Sequence, residues 1–334
     1  MGERIQARMM DLQAAADMLG PGAVEVPIFE REIIDVVRRS SVALQRTEQK
    51  PATGHPHRYF EQTDIAQAQA VDPRALSANP SSPVRVERSA YVKACTAQSN
   101  LSLFDRDVTE QQGQFASVVA KDLNDIISAV ERKRGKMYWR GADTSMLEPQ
   151  NLEWCGALNQ IPQQFVISPA QSIIDGIKLM VARMVANETY EVLPSAIYMN
   201  PIASEAVSVE AKAAKIELQE MEVVAGVKVG SLMTQAGRLP LVPDPWLTSD
   251  TGAAFGFSAP PAGYSNFYVA ILMESLVEIG VISGKEYNPN PRLFQLGLTG
   301  NLAGQFVAVK FDTLVFKGAS YAHAVGVIQL PTPA

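Results

Sequence analysis

The sequence predicts an α+β fold in two lobes, and three consecutive stretches carry that expectation. Residues 51 to 83, PATGHPHRYFEQTDIAQAQAVDPRALSANPSSP, make a polar connection rich in Pro, Ala, Ser and Gln. Val84 and Val86 then alternate with Arg85 and Glu87, the period-2 sign of a half-buried strand. A long amphipathic helix is predicted next, from Asp107 to Arg134. A connection of roughly 30 residues without its own core is rare, since loops inside compact domains run about 4–6 residues. Such a segment either stays disordered or orders against something outside its own domain.

The 334 residues suffice for one large or two ordinary domains. With 47% hydrophobic and 19% charged residues, a real core is available and wholesale disorder is excluded. The net charge is −6 and the pI about 5.3, with no basic stripe for sequence-specific DNA binding. The densest cationic cluster, Arg132, Lys133, Arg134 and Lys136, is explained locally as the end of a helix. Cys95 and Cys155 stand in apolar or strand-like contexts and read as reduced, packed thiols. The first residues, MGERIQARMMDLQAAADMLG, contain no apolar run of signal-peptide length, and no stretch approaches a membrane span. The expectation is a soluble protein made in a reducing cytoplasm.

Residues 1 to 48 read as an extended arm with two short helices, one marked by Met9, Leu12, Met18 and Leu19 and one over Phe29 to Leu44. In the long helix Asp107 is the expected N-cap, with Glu110 completing a capping-box-like pattern. Phe115, Val119, Leu123, Ile126, Ile127 and Val130 fall on one stripe, and Gly135 is placed to end the helix. At 1.5 Å per residue it is about 40 Å long, a spine more than a core helix. Ser168-Pro169 is an expected helix start, followed by the stripe Ile173, Ile177, Met180, Val181 and Met184. Leu193 to Met199 reads as a strand, and Asn200-Pro201 opens a helix to about Glu217. Val227 to Met233 and Leu239 to Val242 read as a hairpin, and Phe267 to Met273 as a further strand. Phe306 to Phe316 alternates, with Val307, Val309 and Phe311 expected on the buried face and Lys310 and Asp312 on the other. First and last strands are expected in the same lobe.

This order of elements resembles the major capsid protein of tailed bacteriophages, the Hong Kong 97 type fold. Residues 1–48 resemble its N-terminal arm and 49–83 its extended E-loop. Residues 84–160 and 305–334 resemble its peripheral domain, with spine helix 107–134, and 161–304 its axial domain. The strings SAIYMNP at 195 to 201, GRLPLVPDPWL at 237 to 247, and the closing FVAVKFDTLVFKGASYAHAVGVIQL fit that plan. The resemblance implies a structural protein that self-assembles as hexamers and pentamers into an icosahedral shell around double-stranded DNA. It implies non-specific contact with the packaged DNA, partners such as separate scaffolding, portal and decoration proteins, and no membrane. Its location would be the virion, after synthesis in the host bacterial cytoplasm. Two features depart from some relatives. Only about two dozen residues precede Glu25, too few for a long cleaved scaffolding region, and no lysine lies between Lys50 and Lys93 to form an isopeptide cross-link from the loop.

His55-Pro56-His57, with Glu61 and Asp64 nearby, could share a metal, but His323 is the only other histidine. A proline-punctuated loop tip is the simpler reading. No glycine-rich phosphate loop occurs, and Gly318-Ala319-Ser320 lacks the last glycine of a nucleophile elbow. Cys155 beside Trp154 reads as an inert core thiol, and Asp122/Asp125 and Glu217/Glu220 as solvated helix faces. No catalytic, cofactor-binding or metal residue is assigned, and no enzyme activity or cofactor is expected. Arg58, Tyr59 and Phe60 are the candidates for intersubunit contact, being residue types enriched at interface centres on an otherwise polar loop. An encapsulin-type compartment enclosing protein cargo is the alternative within the same fold. A metal- or thiol-dependent enzyme is the alternative of another class.

Overall fold

The computed structural model describes residues 41–72, 74, 81–102, 104, 107, 118–147, 151–224, 227–299 and 303–332. Most of the expected arm, Glu110 of the capping pattern and Phe115 lie outside the described residues. The described chain starts with helix α1 (Val42–Arg46) and strand β1 (Glu48–Pro51). Strands β2 (His57–Asp64), β3 (Val84–Ala90) and β4 (Lys93–Ser102) lead to the long helix α2 (Val118–Arg140). Then come α3 (Ala157–Gln160), β5 (Gln164–Ile167), α4 (Ile173–Val185), β6 (Ala196–Met199) and α5 (Pro201–Ala213). Strands β7 (Gln219–Val224), β8 (Val227–Thr234), β9 (Gly237–Pro243) and β10 (Tyr264–Leu272) follow. The chain closes with β11 (Val277–Ile282), β12 (Arg292–Thr299), β13 (Ala303–Phe316) and β14 (Ala324–Pro331).

Two main sheets divide the described molecule. The first is five-stranded, in the order β1-β11-β13-β12, with β4 antiparallel along β13 from Ser102↔Ala303 to Lys93↔Asp312. The second is seven-stranded, in the order β5-β14-β10-β6-β9-β8-β7. Its interior strand β10, YSNFYVAIL, is buried from Ser265 to Leu272 because both of its faces are covered. Phe267, Val269 and Ile271 face α4 and α5, while Tyr268, Ala270 and Leu272 join the core under the long helix. The two lobes therefore share one wall.

Helix α2 is the spine. Ile126 and Val130 are buried against β4 and β13, each worth about 1.5–3 kcal/mol of apolar burial, with Leu123 half-buried beside them. The helix does not stop at Gly135; it runs on to Arg140, and Met137, Tyr138 and Trp139 continue the buried stripe. Gly135 serves close packing instead, since a Cβ there would lie 2.9 Å from Trp246 Nε1 and 3.1 Å from Ser41 Cβ. The true end is Gly141, where a Cβ would come within 2.2 Å of the Trp154 carbonyl oxygen. Arg140, at that end, is held by both carboxylate oxygens of Asp250, at 2.8 and 2.9 Å, and stacks on Phe255.

The alternation of β13 is present, but its polarity is the reverse of the expected one. Phe306, Ala308, Lys310 and Asp312 are the buried set beneath α2, whereas Phe311 is 38% exposed. The cause is a partner on the helix. Arg134, itself buried, donates from Nε to Asp312 at 2.7 Å and from Nη1 to Glu131 at 2.6 Å. Trp154 Nε1 donates to the other Asp312 oxygen at 3.1 Å, and Lys310 Nζ to Gln49 at 3.1 Å. Burial, together with the neighbouring Arg134 cation, lowers the Lys310 pKa to about 8. Burial outweighs the same cation at Asp312 and raises its carboxyl above the usual range.

Four further differences concern pairing and boundaries. Strand β3 was expected in the lobe of the closing strand; it is instead the return arm of a hairpin with β2, from His57↔Ala90 to Asp64↔Val84. Strands β11 and β12, within 161–304, pair with β13 and so join the first sheet, while β14, within 305–334, pairs with β10 and β5 in the second. Period 2 records two faces but no partner, so these long-range choices are absent from the local pattern. Helix α4 starts after Ser172, whose side chain accepts from Asp175 N, and not at Ser168-Pro169. Helix α5 starts at Asn200-Pro201 as expected but ends at Ala213, where Lys215 takes φ +56°.

Candidate functional site

The polar connection is a projecting β-hairpin, and its strands alternate root against surface. On β2, His57 and Tyr59 point inward, whereas Arg58 and Phe60 point out. Tyr59 is 8% exposed and packs on Ala90 and Val315 of its own chain. Phe60 is 74% exposed, and Arg58 pairs with Glu87 on the facing strand, at 3.3 Å. The sequence candidates thus separate: Tyr59 belongs to the internal root of the hairpin, and Arg58 and Phe60 are left on its surface. Beyond the paired strands, residues 65–72 and 81–83 are non-regular and exposed.

The root is locked by a compact polar set. Thr53 N donates to His57 Nδ1 at 3.2 Å, leaving Nε2 to face Glu278 Oε1 at 3.4 Å. Lys317 Nζ donates to Glu278 Oε2 at 2.7 Å and lies 5.8 Å from the centre of the Tyr59 ring. Burial alone would raise the Glu278 pKa; the hydrogen bonds from His57 and Lys317 overcome it and carry the value down to about 2. Glu61 accepts from Gly318 N at 2.5 Å, and Arg88 bridges back to Glu61 at 3.2 Å. Gly280 lies directly under His57, whose ring a Cβ there would meet at 3.3 Å.

This root sits on the side of the five-stranded sheet opposite the spine. Val315 and Gly280 are on that side, since Asp312, Leu314 and Phe316 face the helix core. Farther along the same side, Val307 and Val309 are half-buried and Phe294 and Phe311 exposed. The sequence signal for this face was the alternation of β13, read with the wrong side inward.

The chemical candidates are dispersed. His57 belongs to the hairpin root, and His55 makes an edge contact with Tyr91. His323 is fully buried between Met273 N, which donates to Nδ1 at 3.3 Å, and the Lys317 carbonyl, 3.1 Å from Nε2. Among the described residues no three His, Cys, Asp or Glu side chains converge as a metal-ligand set. Burial pushes Cys95 up to about 11 and Cys155 up to about 12, so both remain thiols at neutral pH. Among the described residues no helix is long and apolar enough to cross a membrane.

A spine helix beneath a sheet, a hairpin projecting from the far side of it, and a second mixed sheet define the Hong Kong 97 type capsid fold, the fold of capsid-forming proteins. Solved structures match across nearly the whole chain. The capsid of an empty GTA particle aligns with a TM-score of 0.63 at 12% identity, over 92% of this chain and 96% of that one. The capsid of cyanophage A-1(L) aligns at 0.62 and 9% identity, over 93% and 98%. The holo-SrpI encapsulin complex of Synechococcus elongatus aligns at 0.56 and 14% identity, over 94% of each chain. No family model matches the sequence, and no curated protein matches it either.

Proposed function

We propose that this protein is a structural capsid subunit, many copies of which assemble as hexamers and pentamers into an icosahedral shell enclosing double-stranded DNA. The observation that carries the reading is the hairpin, fastened at His57 and Tyr59 yet presenting Phe60 and residues 65–72 and 81–83 to solvent. A large exposed aromatic on a hairpin is the kind of anchor that a protein interface buries. The partly exposed strip of Phe294, Val307, Val309 and Phe311 offers an apolar counter-surface on each copy. Copy-to-copy repetition of one such heterologous contact generates a ring where its rotation closes. No catalytic step is involved; the work is surface burial.

An encapsulin-type compartment is the second reading, favoured by the match to the Synechococcus complex over 94% of the chain. Replacing residues 65–83 by a short turn separates assembly from folding, because the root and both sheets remain. The shortened protein should keep its unfolding transition yet form no particles by negative-stain microscopy. Normal particles from it would sink the reading. Nuclease-protected DNA inside wild-type particles, against co-purified protein cargo, distinguishes the two kinds of shell.

A further inference from the structure

The cluster Arg132, Lys133 and Lys136 loses its sequence-level explanation once the helix is seen to run to Arg140. Only Arg140 occupies the basic position of the last turn, and its guanidinium is committed to Asp250 and Thr248. Arg132 and Lys133 stand about two turns earlier, beyond the reach of the terminal partial charge. All three are exposed on the face of α2 turned away from the sheet. Together with Ala129 and Trp246 they line an open depression of about 220 Å³. Lys133 is paired with Glu153, whose carboxylate Lys136 also stabilises from farther off, and Arg132 and Lys136 make no direct ion pair among the described residues. A surface concentration of cations on a chain of net charge −6 calls for a polyanionic partner.

The fold also sets this face relative to the hairpin. The hairpin stands on one side of the five-stranded sheet and the spine on the other. If hairpins clasp neighbours on one surface of the shell, the α2 face belongs to the opposite surface. We propose that Arg132 and Lys136, with Lys133 beside them, form a sequence-independent contact for the phosphate backbone of double-stranded DNA on that surface. This rests on the shell reading, and it names where the enclosed polymer is touched. Two cations four residues apart on a helix lie close enough to meet successive phosphates, and phosphate contacts carry no sequence information.

The test uses full-length wild-type protein and the Arg132→Ala/Lys136→Ala variant, with a random-sequence 30-base-pair duplex as probe. A Lys178→Ala/Lys212→Ala variant removes the same charge from the other lobe. The wild type should bind with a salt-dependent affinity, and the spine variant should bind about tenfold or more weakly, with a log–log salt slope smaller by about 2. The control variant should match the wild type. Equal binding by spine variant and wild type, equal loss in the control, or no wild-type binding at all would each overturn the proposal. Loss of particles with DNA binding intact would overturn it too, assigning the patch to subunit contact. Should the double variant fail to fold, acetylation of Lys136 in wild-type protein decides: protection by duplex supports the contact, and unchanged labelling refutes it. Particle formation is scored separately, so particles that ignore DNA refute this contact while leaving the shell reading standing.

Discussion

Tyr59 and Phe60 are neighbours in sequence and face opposite ways on β2, so removing each ring has a different consequence. Tyr59→Ala empties the space above Val315 and should cost about 3–5 kcal/mol in urea unfolding of the isolated subunit. Phe60→Ala removes a solvent-facing ring and should leave stability within about 0.5 kcal/mol while weakening particle formation. Equal effects on folding would mean that the two side chains share one environment. His323 supplies a second test at this scale. Burial lowers its pKa from 6.5 to about 4, and the neutral ring is held by Met273 and Lys317. The unfolded chain takes up a proton as the pH falls through 6.5, whereas the folded protein resists until about 4. Stability is unaffected by this group above pH 6.5 and falls between 6.5 and 4, by about 3 kcal/mol in all. His323→Gln should flatten the pH dependence of the urea midpoint across that window; an unchanged slope would show that another group titrates there.

The elements were legible to different depths. The spine stripe of Leu123, Ile126 and Val130 reads correctly because helical period and burial agree along one face. The Asn200-Pro201 start is equally local, since the Asn200 side chain accepts from Ile202 N within the same turn. The end of the spine was misread because Gly135 looks like a terminator, while the chain uses its missing Cβ to seat Trp246. Gly141 does the terminating, pressed between Trp154 and Gly156, where added atoms meet backbone on two sides. Gly141→Ala should therefore destabilise the subunit by roughly 3 kcal/mol, the upper end of overpacking costs, measured by thermal or urea unfolding. A neutral result would mean that the α2–α3 corner yields easily.

At the scale of the molecule, the arrangement proposed for assembly is wholly non-covalent. The loop has no lysine between Lys50 and Lys93, and both cysteines are buried thiols. Particles boiled in denaturant with reductant should therefore run as one band near 36.2 kDa. A ladder of higher bands would show cross-linked subunits. The candidate contact surface was only half legible. Arg58, Tyr59 and Phe60 were chosen together by residue type, but strand geometry admits only alternate members of such a triplet to one face. The strip of Phe294, Val307, Val309 and Phe311 was hidden because its apolar residues look like core residues until the neighbouring face is seen to be buried.

Composition and local period were enough to establish an α+β chain, a long spine helix, the β8–β9 hairpin, and a polar connection with no core of its own. Each depends on residues a few positions apart, whose interactions are set by the helix or strand repeat. Three matters waited for the tertiary structure: the return of β3 onto β2, the exchange of β11 and β14 between sheets, and the face of β13 that turns inward. The last shows the physical reason most plainly. Lys310 and Asp312 look like a solvent face until Arg134 and Glu131, distant in sequence, are brought alongside to pair with them. A charge is buried only where its partner is, and the partner's position is a property of the folded chain.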